Sequence, residues 1–503
     1  MQPELSLLWG DIHNHNELGY GQGSLDRSYQ IARSHLDFYA FTPHAQYADG
    51  NAPKGYPIVN ENWTAIQEAA RSYDDPHTFT TFLAYEWHSA AWGHVHVVYE
   101  EDDRPLHFAP SLAELQDIHR NERSILVPHH IAYDHGVDWE QFAADCSPIV
   151  ELFSEHGSSE RDGGLHPMLG HSSGPGSVAY TAQHGLSIGR RFGFTAGTDN
   201  HDGYPGGYGL GLTGVWARQN TRAAVMEAIR SRRTYGVTGD RIEVSFTANE
   251  QPMGSCVEPG DVEVSFQVQG WDEIALVELI QDGQTIRAWP SSPGTDEQAD
   301  DLYRFRLEYG WGPMKGYHIH DWTGVIQVTG GTLSAAIPNF ASDPFDEHRR
   351  KRIDSVAADR CVWQSHTSRG GMFSTRNSST VGSANDAVCF ELKGSHDTRI
   401  DIEIGCHASN SILSTPADFS VANHNGMVSR SVTIGELLEG RVPIPMGKPS
   451  SWIVVHRAHP RANMSMSERV ELKNCRAGSY AYLRVTQANG QMAWSSPIFV
   501  GHS

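Results

Sequence analysis

The sequence predicts an α/β region followed by an all-β region: a distorted seven-stranded β/α barrel over residues 1–240 and a β-sandwich-like domain over residues 241–503. Three observations carry this reading. Up to about residue 240, seven short apolar, β-rich runs alternate with helical stretches. Potential metal ligands fall on or just after every one of those runs. Beyond residue 241 the texture changes to short alternating strands separated by Gly, Asn, Asp and Pro. A chain of 503 residues also exceeds an ordinary single domain.

The seven runs are LLWGDI, DFYAFT, TFLAY, HVHVVY, SILV, PIVELF and FGFTAG. Buried parallel strands read as such continuous apolar runs. Between them, residues 24–35, 61–73, 111–121, 139–144 and 176–186 have helical character, and residues 221–232 form a last helix. Strands three and four are joined by SAAWG, too short for a helix. In the second region IEVSFTA, VEVSFQV, LYRFRLEY, SWIVVH and SYAYLRVTQ read as strands, and GQTIR and ANGQM as turns. The Ser-, Thr- and Gly-rich stretch 367–385 reads as an exposed loop. The tryptophans of the second region read as core aromatics rather than a sugar platform.

A formal charge of −22 repels phosphate backbones and anionic membranes, so neither long nucleic acid nor a membrane is expected as a partner. Six scattered cysteines without a CxxC pair leave the redox compartment open. The chain as given shows no signal peptide and no apolar run of membrane-spanning length, so a soluble protein is expected, its compartment open between cytoplasm and export. No P-loop is present, because the Gly-rich stretch 203–211 lacks the terminal Lys; it is expected to loop over the barrel mouth. No GxSxG supports a serine nucleophile.

The seven runs lead into Asp11, His13 and His15; His44; Glu86 and His88; His94 and His96; His129 and His130; Glu151 and His156; and Asp199 and His201. In β/α barrels the C-terminal ends of the strands form the reactive face. So many carboxylates and imidazoles need a counter-charge, which divalent metals supply, and a mixed His and carboxylate shell suits Zn, Mn or Fe. His94 and His96 compete for one role. His88, His130, Glu151 and His156 read as groups that orient ligands, touch substrate or serve as alternative ligands, and Tyr133, Arg190 and Arg191 as substrate or anion contacts. His35, His77, His107 and His119 read as ordinary surface or capping histidines.

WGDIHNH, LDFYAFTPHA, AYEWH, VPHH and GFTAGTDNHDGYPGG together resemble the PHP superfamily of metallohydrolases, named for polymerase and histidinol phosphatase domains. More narrowly, the set resembles a bacterial branch known as a domain of unknown function, in which AIRSRRTYGVTGDRI-like sequence follows the barrel and a β domain ends like AWSSPIFV. The resemblance implies a two- or three-metal site and hydrolysis, most often of phosphoesters. By motif, one ion would take His13, His15, Glu86 and Asp199. A second would share Glu86 and take His94 and His129, and a third would use His44 and His201. Two departures touch that third site: Pro43 stands where Asp is frequent, and NELGYGQG has Glu17 as the nearest replacement for a missing His or Asp.

The sequence thus points to a metal-activated water attacking a small, anionic ester, with Asp199 as base and Glu86 and His201 as further catalytic groups. A phosphomonoester or phosphodiester is the expected substrate, with a carboxylic ester, carbamate or amide as the alternative on the same site. In a reading of another class, the metals stabilise a glycan- or protein-binding protein. Oligomeric state is not legible.

Overall fold

The computed structural model describes residues 5–50, 60–134, 136–170, 174, 176–291, 301–310, 319–341, 351–368, 385–409, 426–446 and 452–501. Most of the 367–385 loop reading falls outside the described residues. The first region contains β1 (Ser6–Asp11), α1 (Leu25–His35), β2 (Phe38–Phe41), β3 (His44–Tyr47), α2 (Asn60–Ser72), β4 (Thr80–Ser89), β5 (Gly93–Tyr99), α3 (Leu112–Arg120) and β6 (Ser124–His129). It continues with β7 (Ile149–Ser154), β8 (Gly157–Ser158), α4 (Ala182–Ser187), β9 (Gly193–Ala196), β10 (Leu212–Ala217), α5 (Arg222–Arg230) and β11 (Thr234–Val237). Side chains of Ser24, Ser111 and Thr221 accept the backbone N–H three residues on and start α1, α3 and α5 where the periodic pattern begins.

Strand pairing does not close into the expected seven-stranded ring. One sheet runs in the order β11-β10-β1-β2-β4-β5-β6, with β3 also on β4. Within it β1, β2 and β4 are parallel, while β5 is antiparallel to both β4 and β6. The short SAAWG link dictates the antiparallel turn, because a parallel neighbour needs a crossover of a dozen or more residues. β7, β8 and β9 form a separate sheet in which β7 and β9 are parallel. Side chains bridge the gap to the first sheet. Thr213 Oγ1 accepts the Ala196 N–H at 3.2 Å and donates to its carbonyl at 2.6 Å, and Thr234 Oγ1 donates to the Phe194 carbonyl at 2.8 Å.

Residues 139–144 do not form the expected helix. Asp138 Oδ1 takes the N–H groups of Glu140 and Gln141, and Trp139 stacks on Phe192 with centroids 5.1 Å apart, so the segment is a turn anchored by buried Trp139 and Phe142. Over 176–186 the chain makes a 3-10 turn, Val178–Tyr180, and then α4, separated by Thr181 in extended conformation.

The second region is β-rich, with only two short helices among its described residues, Ile434–Glu439 and Arg461–Met464. A four-stranded antiparallel sheet contains Glu243–Ala248, Gly260–Gln269 and Ser465–Cys475. Val262, Val264, Phe266 and Val268 alternate inward along its central strand. It shares a core with Ile274–Gln281 and Tyr480–Gln487, which continue the main sheet. Between these halves of the chain lies a nine-stranded sheet with its own core around Phe305, Leu307, Trp322, Trp363 and Phe390.

Texture changes between β11 and the strand at Glu243, yet hydrogen bonding crosses that point: β11 pairs antiparallel with Met492–Ser495. The Gly-rich stretch 203–211 turns into this seam instead of over the mouth. Tyr208 donates its N–H to the Phe340 carbonyl and its hydroxyl to Asp240, whose carboxylate also accepts from Asn339, Gln487 and Asn489. Among the described residues no helix is long and apolar enough to cross a membrane.

Candidate metal centre

The site is built where β1, β4, β6 and β9 end and where β3 and β5 begin. Asp11, wholly buried at the end of β1, accepts the N–H groups of His13 (3.1 Å), Thr198 (3.1 Å) and Gly206 (2.9 Å) and the Thr198 hydroxyl (2.7 Å). It thereby ties the turn carrying His13 and His15 to the loop carrying Asp199. The two loops also bond directly, His15 N–H to the Asn200 carbonyl and Asp199 N–H to the His13 carbonyl. In the β4–β5 hairpin the register sets Glu86 opposite His96 and His88 opposite His94, and β6 brings His129 opposite His94. Alternation places these residues on one face.

Two carboxylates organise the cluster. Glu86 Oε1 faces His88 (2.7 Å), His129 (2.8 Å) and His94 (3.4 Å), while its Oε2 faces His15 and His44 (both 3.4 Å) and His13 (4.0 Å). Asp199 Oδ1 faces His13 (3.0 Å) and His15 (3.1 Å), and Oδ2 faces His156 (2.8 Å) and His130 (3.2 Å). His201 closes the ring, its Nε2 3.2 Å from His44 Nε2. His130 and Asp199 hold positive φ angles of 50° and 52°, and Tyr20, exposed at the rim with its ring edge-on to His44 and His201, holds 67°. Left-handed backbone at such residues persists where the surroundings enforce it.

Burial drives the imidazoles toward the neutral form: His129 and His201 are pushed down to about 3, and His44, His96 and His130 fall well below the ordinary histidine range. Burial would raise Glu86 and Asp199, but the surrounding histidines outweigh it and hold both well below the usual carboxylate range. His13 goes the other way: against burial, Asp199 and Glu151 raise it. Burial lifts Glu151 to about 7. Ionised Glu86 and Asp199 among neutral His44, His96, His129, His130 and His201 are in the state in which such groups ligate a cation.

The match to known proteins is limited. Residues 24–122 and 204–263 match the model of a family described as "Protein of unknown function (DUF3604)". Uncharacterised proteins of Chlamydia pneumoniae, Chlamydia muridarum and Chlamydia trachomatis are 26%, 28% and 27% identical over 326, 330 and 330 residues, each alignment covering 59% of this chain. The chain spans about half the length of these curated relatives, 51% of each. Among solved structures, a two-domain protein from Bacteroides vulgatus, described as containing a predicted PHP-like metal-dependent phosphoesterase, is similar at 12% identity and a TM-score of 0.33, over 85% of this chain and 96% of that one. The chemistry is therefore read from the cluster's own geometry.

Donor sets with ligand atoms within 4.8 Å of one another include His13, Glu86, His96 and His129; His15, His44 and His201; His94, His129 and His130; His13, His15 and Asp199; and His44, Glu86 and His88. His13 Nε2, Glu86 Oε2, both His96 nitrogens, His129 Nδ1 and Asp199 Oδ2 are buried and make no hydrogen bond of good geometry, although Asp199 Oδ2 lies 2.8 Å from His156 Nε2 and His13 Nε2 lies 3.0 Å from Asp199 Oδ1. Orphaned polar atoms are rare in native interiors, and ones converging like this fit divalent cations.

His13, His15, His44, Glu86, His94, His129, Asp199 and His201 are thus brought together, with His130 and His156 beside them. Other residues lie elsewhere. Arg190 bonds the Glu140 carbonyl, and Arg191 reaches Cys256 and the Phe499 ring. Both precede β9, whereas Asp199 follows it, so they sit at the opposite end of that strand from the cluster. Tyr133 is buried, and its hydroxyl lies 2.9 Å from both His156 Nδ1 and the Leu169 carbonyl, which braces His156. Glu17 is exposed, and the Pro43 carbonyl accepts the Glu86 N–H. Sequence reasoning passed over Glu155, its side chain 3% exposed and its carboxylate 3.9 Å from His201. It also undervalued His96, which the strand pairing sets opposite Glu86.

Proposed function

We propose that this chain is a metal-dependent hydrolase, its residues 1–240 carrying the reaction and residues 241–503 serving as a β-rich accessory region. The observation that supports this is the convergence of Glu86 and Asp199 with buried histidines from six strand ends, leaving unpartnered ligand atoms on both carboxylates. A structural metal site needs about four ligands; this donor set suits two or three Zn, Mn or Fe ions. Such ions, when bound, lower the pKa of water and polarise the scissile oxygen. His13, His15, Glu86 and Asp199 would hold one, Glu86, His129 and His94 or His96 a second, and His44 and His201 a third.

The chain's own groups then divide by exposure. Glu86 and the wholly buried histidines exclude water and fix the donors. His94, His130, His156 and His201, with side chains 11–18% exposed, form the open side on which a substrate would land. Asp199, reaching both the deep histidines and this open side, is placed to take a proton from the attacking water. The motif resemblance favours a phosphomonoester or phosphodiester over a carboxylic ester, carbamate or amide.

Elemental analysis of the purified chain is expected to find two or three transition-metal ions. A chelator should abolish turnover across a panel of aryl phosphates, bis-aryl phosphates and aryl carboxylic esters, and Mn or Zn should restore it. His13→Ala should lose activity on every member. Metal-free native protein, or turnover indifferent to chelation, would overturn the reading.

A further inference from the structure

Glu151 lies on β7, in the small sheet, whereas His13 leaves β1 in the large one. Its carboxylate crosses between them: Oε2 is 2.8 Å from His13 Nδ1, and the side chain is 3% exposed. The register between β7 and β9 shifts between Glu151 and Phe153, the kind of irregularity that re-aims a side chain. Gly197, next after β9, borders the same contact. A Cβ there would lie 2.5 Å from His13 Cβ and 2.7 Å from Glu151 Oε2, well inside contact distance.

We propose that Glu151 is a positioning residue: its carboxylate keeps the proton of His13 on Nδ1 and so presents Nε2 as a ligand, with Gly197 kept small to admit it. The proposal rests on the metal-dependent reading of the cluster. Where a cation takes the Nε2 lone pair of His13, the ring is neutral with its proton on Nδ1, and the Glu151 carboxylate accepts from it. The other ring nitrogen then points its lone pair at the space shared with Asp199 Oδ1, 3.0 Å away, and Glu86 Oε2, 4.0 Å away. A cation there would satisfy all three atoms. Partners on the far nitrogen of a ligating histidine fix its tautomer and ring orientation, and losing them costs roughly 10–100-fold in metal affinity. Glu151 therefore acts through His13, not through the substrate.

Wild-type protein, Glu151→Ala, Glu151→Gln and Gly197→Ala are stripped with chelator and titrated with Co2+ by calorimetry, with visible absorption recorded at each step. Glu151→Ala and Gly197→Ala are expected to weaken one ion roughly 10–100-fold and to change its absorption band. Glu151→Gln, whose amide oxygen still accepts from Nδ1 in the same volume, should recover most of the affinity. It also separates positioning from folding. Equal affinities and spectra in all four chains would overturn the proposal, as would a Glu151→Gln chain as weak as Glu151→Ala. A Glu151→Ala chain with unchanged Co2+ affinity and a raised KM would make Glu151 a substrate contact instead. If wild-type protein takes up no Co2+, the hydrolase reading itself fails; if it does and only the variants behave as wild type, the positioning role alone fails.

Discussion

His94 and His96 stand two residues apart on one face of β5, in different surroundings. His96 is wholly buried, stacked on His129 at 3.9 Å between centroids and edge-on to His13 at 4.0 Å, with neither ring nitrogen bonded. His94 is partly exposed, beside His88 and His130. If cations occupy the cluster, His96 completes the deep set with His13, Glu86 and His129, and His94 belongs to the open side. His96→Ala is therefore expected to lower the metal-to-protein ratio found by elemental analysis. His94→Ala should keep the deep ion and act chiefly on turnover. Equal ratios in both variants would refute the distinction. The ligand residue types were legible in the sequence because each falls on or just after an apolar run. The choice between these two was not, since both share the strand's period; only the pairing of Glu86 with His96 across the hairpin separates them. Arg190 and Arg191 show the converse error: a motif-neighbouring charge looks useful until its end of the strand is known.

Single elements followed their local signals where capping and periodicity agreed, as in α1, α3 and α5, and failed where tertiary contacts decided, as in the turn around Trp139. α3 carries a further consequence. His119 in its last turn had every appearance of a surface histidine that favours a helix C-terminus. It is instead buried between the Tyr85 hydroxyl, 3.3 Å from Nε2, and the Ser124 hydroxyl, 2.9 Å from Nδ1. Burial, and the neighbouring His107, push it down to about 3. An unfolded histidine titrates near 6.5, so between about 6.5 and about 3 the unfolded chain binds the extra proton. This residue therefore costs stability as pH falls through 6.5, progressively down to about 3. Other buried histidines add to the same slope, so the informative quantity is a difference. Thermal melts of His119→Gln and wild type at pH 7.5 and pH 5 should show a smaller acid-induced fall in the variant. Parallel losses would mean that His119 is protonated in the fold.

At the scale of the molecule, the two regions that the sequence separates by texture are not separable by hydrogen bonds. The sheet carrying β1 and β4 passes through β11 directly into Met492–Ser495. Ser496 Oγ accepts the Phe194 N–H at 2.8 Å and lies 3.3 Å from Thr234 Oγ1, so the end of the described chain helps hold β9 in place. Trp494 and Arg484 bond Glu160, and Phe194 packs on Tyr482 in a core that also takes in Phe153 and Phe499. Such long-range pairing leaves no trace in local composition, which is why residue 240 looks like a border. A fragment ending at residue 240 would expose the edge of β11 as a template for aggregation and leave β7 and β9 without their packing partners. It is expected to elute as aggregate on size exclusion and to melt without a cooperative transition, whereas the full chain does neither. The Asp199 loop follows β9, so the fragment should also lose the metal uptake of the full chain. A monomeric fragment that binds Mn2+ as the full chain does would show that residues 1–240 fold alone, and that the C-terminal strands decorate the site without holding it.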